Sequence, residues 1–303
     1  MKKHFLSLWD LSTYEIEHLV QRASEYKDMR LKGQVHHPLK GKILALIFEK
    51  PSTRTRVSFE ASMYHLGGNV IYMGTQETQL ARGEPLSDIA RVLSRYVDGT
   101  VVRCTTHAHL EELARYSGIP VINGLTDLYH PCQVLSDLVT IVERKGELKG
   151  LKIAWVGDGN NVAHSWINAA SRMEFRLHLA CPKDYEPRID IVDRALNVAK
   201  GRIEVTHDPK KAVRGADIIY TDVWTSMGQE NEEERRRRDF RDYRVNEALL
   251  SYAKDDAIVM HCLPAHRGEE ITHEVIEGRH SVVFDQAENR LHLQKALLEM
   301  LLG

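Results

Sequence analysis

The sequence is short of cysteine, of long apolar runs and of net charge, and each shortage removes a class of protein. Four cysteines stand among 303 residues, at positions 104, 132, 181 and 262. No two form a CxxC pair, so neither a disulfide framework nor a zinc cluster is suggested, and a reducing, cytoplasmic setting fits. No stretch approaches the ~20 consecutive apolar residues that a bilayer span requires. The opening residues, MKKHFLSLWD, have too short an apolar stretch for a signal sequence and meet Asp10 at once, so they read as mature protein. Lys plus Arg number 41 against 43 Asp plus Glu, a net charge of −2. That balance calls for neither nucleic acid nor a membrane surface as partner. The densest charge run, Glu232-Glu233-Glu234-Arg235-Arg236-Arg237-Arg238, places opposite charges at i,i+3 and i,i+4 and is expected to be a solvated helix face. Internal repeats and low-complexity segments are also lacking.

What is present is an ordinary globular balance, 43% hydrophobic and 28% charged, over a length that suggests two domains. Helical and strand patterns alternate. Residues 12–31 read as a helix capped by Ser12, with Glu15 three residues on completing a capping box. The apolar run Ile43–Phe48 is a strand, and a helix after Ser52 ends at Gly67-Gly68. Strands at 70–73, 99–103 and 120–123 alternate with helices at 85–96, 109–116 and 133–145. After Lys149-Gly150 the alternation restarts, with strands at 153–156, 175–180, 218–220 and 257–260 and helices at 162–173, 191–200 and 287–302. This pattern implies an α/β fold of two domains, each a parallel sheet flanked by helices. The expected division is 1–147, 148–285 and a final helix, 286–303, returning to the first domain. Ligands of open α/β sheets bind outside the carboxyl ends of the strands. The polar clusters here follow Phe48, Val102, Val156, Tyr220 and Met260, so one cleft between the domains is expected to collect them.

The first of these clusters is the most informative. Ser52-Thr53-Arg54-Thr55-Arg56 opens a helix directly after a strand, where hydroxyls, free backbone N–H groups and the helix dipole converge. Guanidinium groups at the same turn can grip phosphate oxygens in a fork. A merely solvated basic helix start explains one arginine, not this string. Arg103 ends the next strand and, alone, is equally a surface residue. His130-Pro131-Cys132-Gln133 puts a proline in a first helical turn, with His130 beside the cap. Beside an anion site, His130 becomes a donor able to polarise a carbonyl oxygen. Gly157-Asp158-Gly159-Asn160-Asn161-Val162 invites a dinucleotide reading but fails GxGxxG, because Val162 stands where the third glycine belongs. Asp222, at a strand end, can neutralise an ammonium group or serve as a loop acid. Cys262, in His261-Cys262-Leu263-Pro264, would ordinarily be inert packing. Arg290 opens the last helix and would ordinarily be a surface residue.

Together these strings resemble the aspartate/ornithine carbamoyltransferase family, in order, from Ser52 to Arg290. Asp222-Val223-Trp224-Thr225-Ser226-Met227-Gly228 and His261-Cys262-Leu263-Pro264 are similar to its ornithine branch. The resemblance implies transfer of the carbamoyl group of carbamoyl phosphate to the δ-amino group of L-ornithine, giving L-citrulline and phosphate, without cofactor or metal. It implies that Ser52, Thr53, Arg54 and Thr55 hold the phosphate. Arg103 and His130, with Thr55, would stabilise the oxyanion, while Gln133 orients the carbamoyl nitrogen. Arg290 would return to the carbamoyl phosphate pocket. Asn161, Asp222, Ser226 and Met227 would hold ornithine, with Cys262 and Leu263 beside the reacting amine. It implies also a homotrimer with shared sites, Gln79 reaching into the neighbouring subunit. The alternatives are a carbamoyltransferase for another amine such as putrescine or lysine, a nucleotide-dependent dehydrogenase, and a two-lobed binding protein without turnover.

Overall fold

A computed structural model of the chain describes residues 4–74, 83–199, 202–225 and 230–303. It forms two compact units, Met1–Val139 with Glu288–Gly303, and Thr140–Ala287.

The first unit alternates strand and helix as β1 (His4–Phe5), α1 (Thr13–Leu31), β2 (Ile43–Phe48), α2 (Thr53–His65), β3 (Asn69–Gly74), α3 (Leu86–Tyr96), β4 (Gly99–Arg103), α4 (His107–Tyr116) and β5 (Val121–Leu125), leading into α5 (Pro131–Lys145). Its five strands pair in parallel in the order β1-β5-β4-β2-β3. A parallel sheet is covered on both faces, which is why β2 reads as an unbroken apolar run rather than an alternating one. Ala45 and Ile47 pack with Val102 of β4 against Ile89 and Leu93 of α3 and Leu110 and Leu113 of α4. Register sets Phe48 opposite Arg103. Strand pairing alone therefore brings Arg103 to the turn that opens α2, at the point where the strand order reverses. The expected capping box forms at α1: Glu15 N–H donates to Ser12 Oγ at 3.3 Å, and Ser12 N–H donates to Glu15 Oε2 at 2.7 Å. Gly67 closes α2 with φ +83°, a left-handed conformation that suits glycine.

The second unit continues with β6 (Lys152–Val156), α6 (Asn161–Arg172), β7 (Arg176–Ala180), α7 (Ile189–Leu196), β8 (Ile203–Thr206), α8 (Pro209–Val213), β9 (Ile218–Thr221), α9 (Glu233–Asp239), α10 (Glu247–Leu250), β10 (Ile258–His261) and α11 (His273–Ile276), and leads into α12 (Val283–Leu302). All its strand pairs are parallel, in the order β10-β9-β6-β7-β8. Val156 and His261 both lie opposite Thr221, so the segments after β6, β9 and β10 leave the sheet at one end. Trp224, Phe240, Tyr185 and Tyr243 fill the core on one side, and Trp155 stacks on Tyr220 at 5.2 Å between ring centroids. Among the described residues no helix is long and apolar enough to cross a membrane.

The sequence pattern missed the shortest elements, β1, β8, α8, α10 and α11, which span too few residues to show a period. The helix expected at 191–200 is Ile189–Leu196, and Lys200 lies outside the described residues. The charge run on α9 is not wholly solvated. Arg236 is 5% exposed and donates to both Asp158 Oδ2 and the Trp224 carbonyl. Charge pattern on one helix cannot reveal a partner that approaches from the turn after β6.

Candidate active site

In the first unit, Ser52 caps α2 with extended backbone, and its Oγ accepts from Thr55 N–H at 3.3 Å. No acid occupies the first turn of that helix, so its dipole is left for an external anion. Thr53 and Arg54 are exposed, while Thr55 is buried. Arg290, on α12, is 3% exposed and reaches across to α2, donating from Nη2 to Thr55 Oγ1 at 2.9 Å and from Nη1 to Gln133 Oε1 at 3.1 Å. The middle of α12 is tied to α2 by Ser62 Oγ, which donates to the Leu291 carbonyl at 3.0 Å. Arg103 is buried at the end of β4. Burial, then Arg290 and Arg54, bring its pKa down to about 10.

His130 precedes α5 and is also buried. Burial first, then Arg290, Arg103 and Arg54, hold its imidazole well below the usual histidine range, so it is neutral at pH 7. A neutral imidazole beside three guanidinium groups can donate a hydrogen bond to an oxygen and adds no further positive charge. The structure therefore draws Ser52, Thr55, Arg103, His130, Gln133 and Arg290 together from four separate segments.

In the second unit the charge is reversed. Asp222 follows β9 and is 7% exposed. Its Oδ2 accepts from Asn160 Nδ2 at 2.8 Å, and its Oδ1 accepts from Val223 N–H at 2.8 Å and from the Cys262 thiol at 2.9 Å. Asn160 also caps α6, its Oδ1 accepting from Val162 and Ala163 N–H. Asn161, the expected contact residue, is the first residue of α6, and its carbonyl accepts from Ser165 Oγ. Sequence alone did not separate the two asparagines. The preference for Asn at a helix cap was the one local indication that Asn160 is the capping member.

The glycines of this turn have structural causes. Gly157 has φ +139°, and a Cβ on Gly159 would stand 2.2 Å from Pro187 N. Glycine is required for close packing of the chain, which accounts for the partial match to a dinucleotide motif.

Cys262 leads into Leu263, whose φ of +58° is left-handed, and the Leu263–Pro264 bond is cis. His261 Nδ1 accepts from Leu263 N–H at 2.9 Å, which leaves Nε2 to donate to Glu270 Oε1 at 2.9 Å. This buried histidine–glutamate brace holds the turn that presents Cys262. The Asp222, His261 and Cys262 ligand atoms lie within 4.8 Å of one another, as a metal site would need. Both nitrogens of His261 are already engaged, so the trio is not an open ligand set. Asp158, in the Gly-rich turn, is pushed up to about 6 by burial, against the pull of Arg236 at 2.9 Å. Gln79, Ser226 and Met227 lie outside the described residues.

Comparison with known proteins matches two family models along the chain. Residues 3–143 match the family model described as the aspartate/ornithine carbamoyltransferase carbamoyl-P binding domain, and residues 149–301 match the model of its Asp/Orn binding domain. The ornithine carbamoyltransferase of Syntrophus aciditrophicus is 56% identical over 302 residues, covering 100% of both chains. The anabolic ornithine carbamoyltransferase of Pseudomonas aeruginosa is 52% identical over 300 residues, covering 99% of this chain and 97% of that one. The solved structure of ornithine carbamoyltransferase from Pyrococcus furiosus is similar at a TM-score of 0.96 and 52% identity, over 99% of this chain and 97% of that one. With both family models matched in order and relatives aligned end to end at more than half identity, the chain belongs to the aspartate/ornithine carbamoyltransferase family.

Proposed function

We propose that the chain transfers the carbamoyl group of carbamoyl phosphate to the δ-amino group of L-ornithine, releasing L-citrulline and phosphate. The observation that carries this reading is the neutral, buried His130 set among Arg54, Arg103 and Arg290 at the N-terminus of α2. Ser52, Thr53, Arg54 and Thr55 hold the phosphate. Arg103, His130 and Thr55 donate to the carbamoyl oxygen, and their hydrogen bonds strengthen as that oxygen becomes an oxyanion. Gln133 accepts from the carbamoyl N–H₂. The neutral δ-amine attacks the carbamoyl carbon and forms the C–N bond. The bond between the carbamoyl carbon and the bridging oxygen then breaks with its electron pair on the departing phosphate, which takes up the proton that the nitrogen loses.

Asp222, Asn161, Ser226 and Met227 bind ornithine, Asp222 through an ammonium group, and Cys262 and Leu263 lie beside the reacting amine. The Asn160 and Cys262 hydrogen bonds to Asp222 support that role by fixing its carboxylate. Residues 1–147 serve as the carbamoyl phosphate domain and 148–285 as the ornithine domain. Helix residues 286–303 return to the first, a reading supported by the clustering of Glu288–Gly303 with Met1–Val139. The working form is a cytoplasmic homotrimer in which Gln79 completes a neighbour's site.

The test is citrulline-type colour formation with carbamoyl phosphate and, in turn, ornithine, lysine, putrescine and aspartate. Ornithine is expected to exceed lysine, one methylene longer, by about 10- to 200-fold in kcat/KM, and putrescine and aspartate by more. A preference for any other amine in the panel overturns the reading.

A further inference from the structure

We infer that Asp137 is a positioning residue for the carbamoyl amide, acting through Gln133; the inference rests on the reading of Gln133 given above. Gln133 and Asp137 lie one turn apart on α5, 1% and 0% exposed. Gln133 Nε2 donates to Asp137 Oδ1 at 2.9 Å, while its Oε1 accepts from Arg290 Nη1 at 3.1 Å. A guanidinium only donates and a carboxylate only accepts, so one orientation of the carboxamide satisfies both partners. The reverse orientation would press NH₂ against the guanidinium and oxygen against the carboxylate. Ser136 Oγ, donating to the Gln133 carbonyl at 2.7 Å, ties down the same turn of backbone.

Oε1 keeps a second lone pair for an incoming N–H. What the oxygen end of this carboxamide offers a ligand is therefore an acceptor. An amide N–H₂ is the feature that separates carbamoyl phosphate from an acyl phosphate bearing a methyl group, such as acetyl phosphate. Asp137 thereby contributes to the choice of acyl group without touching it. The helical i,i+4 spacing was visible in the sequence. The hydrogen bond from Arg290, which makes the orientation unique, comes from a residue 157 positions away.

The experiment compares three constants in purified variants: KM for carbamoyl phosphate, and Ki for inorganic phosphate and for acetyl phosphate as competitors. Asp137→Leu is expected to raise KM for carbamoyl phosphate about ten- to a hundredfold while leaving both Ki values within about threefold. A general loss of folding or packing would move all three together, and that result overturns the inference. An exchanged pair guards against a variant that does not fold. Gln133→Glu alone sets a second buried acid against Asp137 and is expected to lose about a hundredfold in kcat/KM for carbamoyl phosphate. Adding Asp137→Asn restores one donor and one acceptor along the same hydrogen bond and should recover about tenfold or more. No recovery overturns the inference. If Gln133→Leu raises KM but neither test behaves as described, Gln133 keeps its role and Asp137 loses this one. If Gln133→Leu leaves KM unchanged, the reading of Gln133 fails and the inference fails with it.

Discussion

The two units are built on the same plan and charged in opposite senses. Each is a five-stranded parallel sheet that gathers polar side chains at the carboxyl ends of its strands. The first places Arg54, Arg103 and Arg290 there, and burial, then repulsion from these arginines, lowers the affinity of Arg103 and His130 for protons. The second places Asp158 and Asp222 there, and burial raises Asp158 to about 6, with Asp222 a smaller contributor in the same direction. The comparison teaches that the backbone chooses where a ligand binds and that a few side chains choose its sign. A phosphate would relieve the strain of the first site, and an ammonium would suit the second.

The most severe way to break this contrast is to remove a cation from the first unit. Arg54→Ala is expected to lower kcat/KM about 10²- to 10³-fold, because a charge-assisted contact to the departing phosphate is lost. Arg54 is exposed, so circular dichroism should stay native. Near-normal kcat/KM with a native spectrum would take Arg54 out of the site.

Removing the anion from the second unit should act on the other substrate. Asp222→Asn is expected to raise KM for ornithine about a hundredfold and KM for carbamoyl phosphate by less than about threefold. Equal changes in both constants would move Asp222 away from the ornithine pocket and erase the division of charge.

Stability should carry opposite pH signatures in the two units. Burial pushes Glu299 upward, but hydrogen bonds from Arg22 and His36, with Tyr26 nearby, outweigh it and hold the carboxyl at about 2. A lowered carboxyl stabilises the fold above its unfolded value and loses that contribution as pH falls. Glu299→Gln should therefore cost about 1–3 kcal/mol at pH 7. The gap to wild type should close between about pH 4.5 and pH 2. Asp158 has the reverse sign. Its raised value, about 6, gives a contribution present below about pH 4 and lost as pH rises through 6. The stability of wild type relative to Asp158→Asn should thus decline by about 1–3 kcal/mol from pH 4 to pH 7. Urea melts from about pH 2 to pH 7 check both, and slopes of the same sign in the two variants would contradict the contrast.

The subtlest effect concerns protons during turnover. The δ-amine of ornithine resembles lysine, with an unperturbed pKa of about 10.4, and attacks only when neutral. Since His130 is already neutral, kcat/KM for ornithine should climb about tenfold per pH unit from pH 6 into the alkaline range without a histidine inflection. Cys262→Ser should shift the alkaline limb by a few-fold, because the thiol donates to Asp222 at 2.9 Å. A flat wild-type profile would rule out free-amine attack as limiting, and superimposable normalised profiles would leave Cys262 a packing residue.

Much of the scaffold is legible in the sequence alone. The apolar run of β2 and the cap at Ser52 are local patterns, and both stand as read. Asp137, Arg236 and Asn160 were not singled out, each for a definite reason. Asp137 gains its meaning through Gln133, whose other partner, Arg290, is 157 positions away. Arg236 lies in a run of charges that suits solvent equally well, and its partner Asp158 is 78 residues away. Asn160 and Asn161 are both ordinary at a helix start, and only the approach of Asp222 shows which side chain turns toward it.

By itself the sequence determined the alternation of strand and helix, the caps and the turns, because hydrogen bonds to backbone and hydrophobic period act over a few residues. It also determined the family, because the motifs are contiguous strings. Tertiary structure decided the protonation of His130, since that depends on burial and on arginines arriving from α2, β4 and α12. It decided too the single orientation of Gln133, set between a guanidinium and a carboxylate on different helices. Electrostatic and hydrogen-bond partners of this kind are chosen by sheet register and helix packing, and no local window of residues contains them.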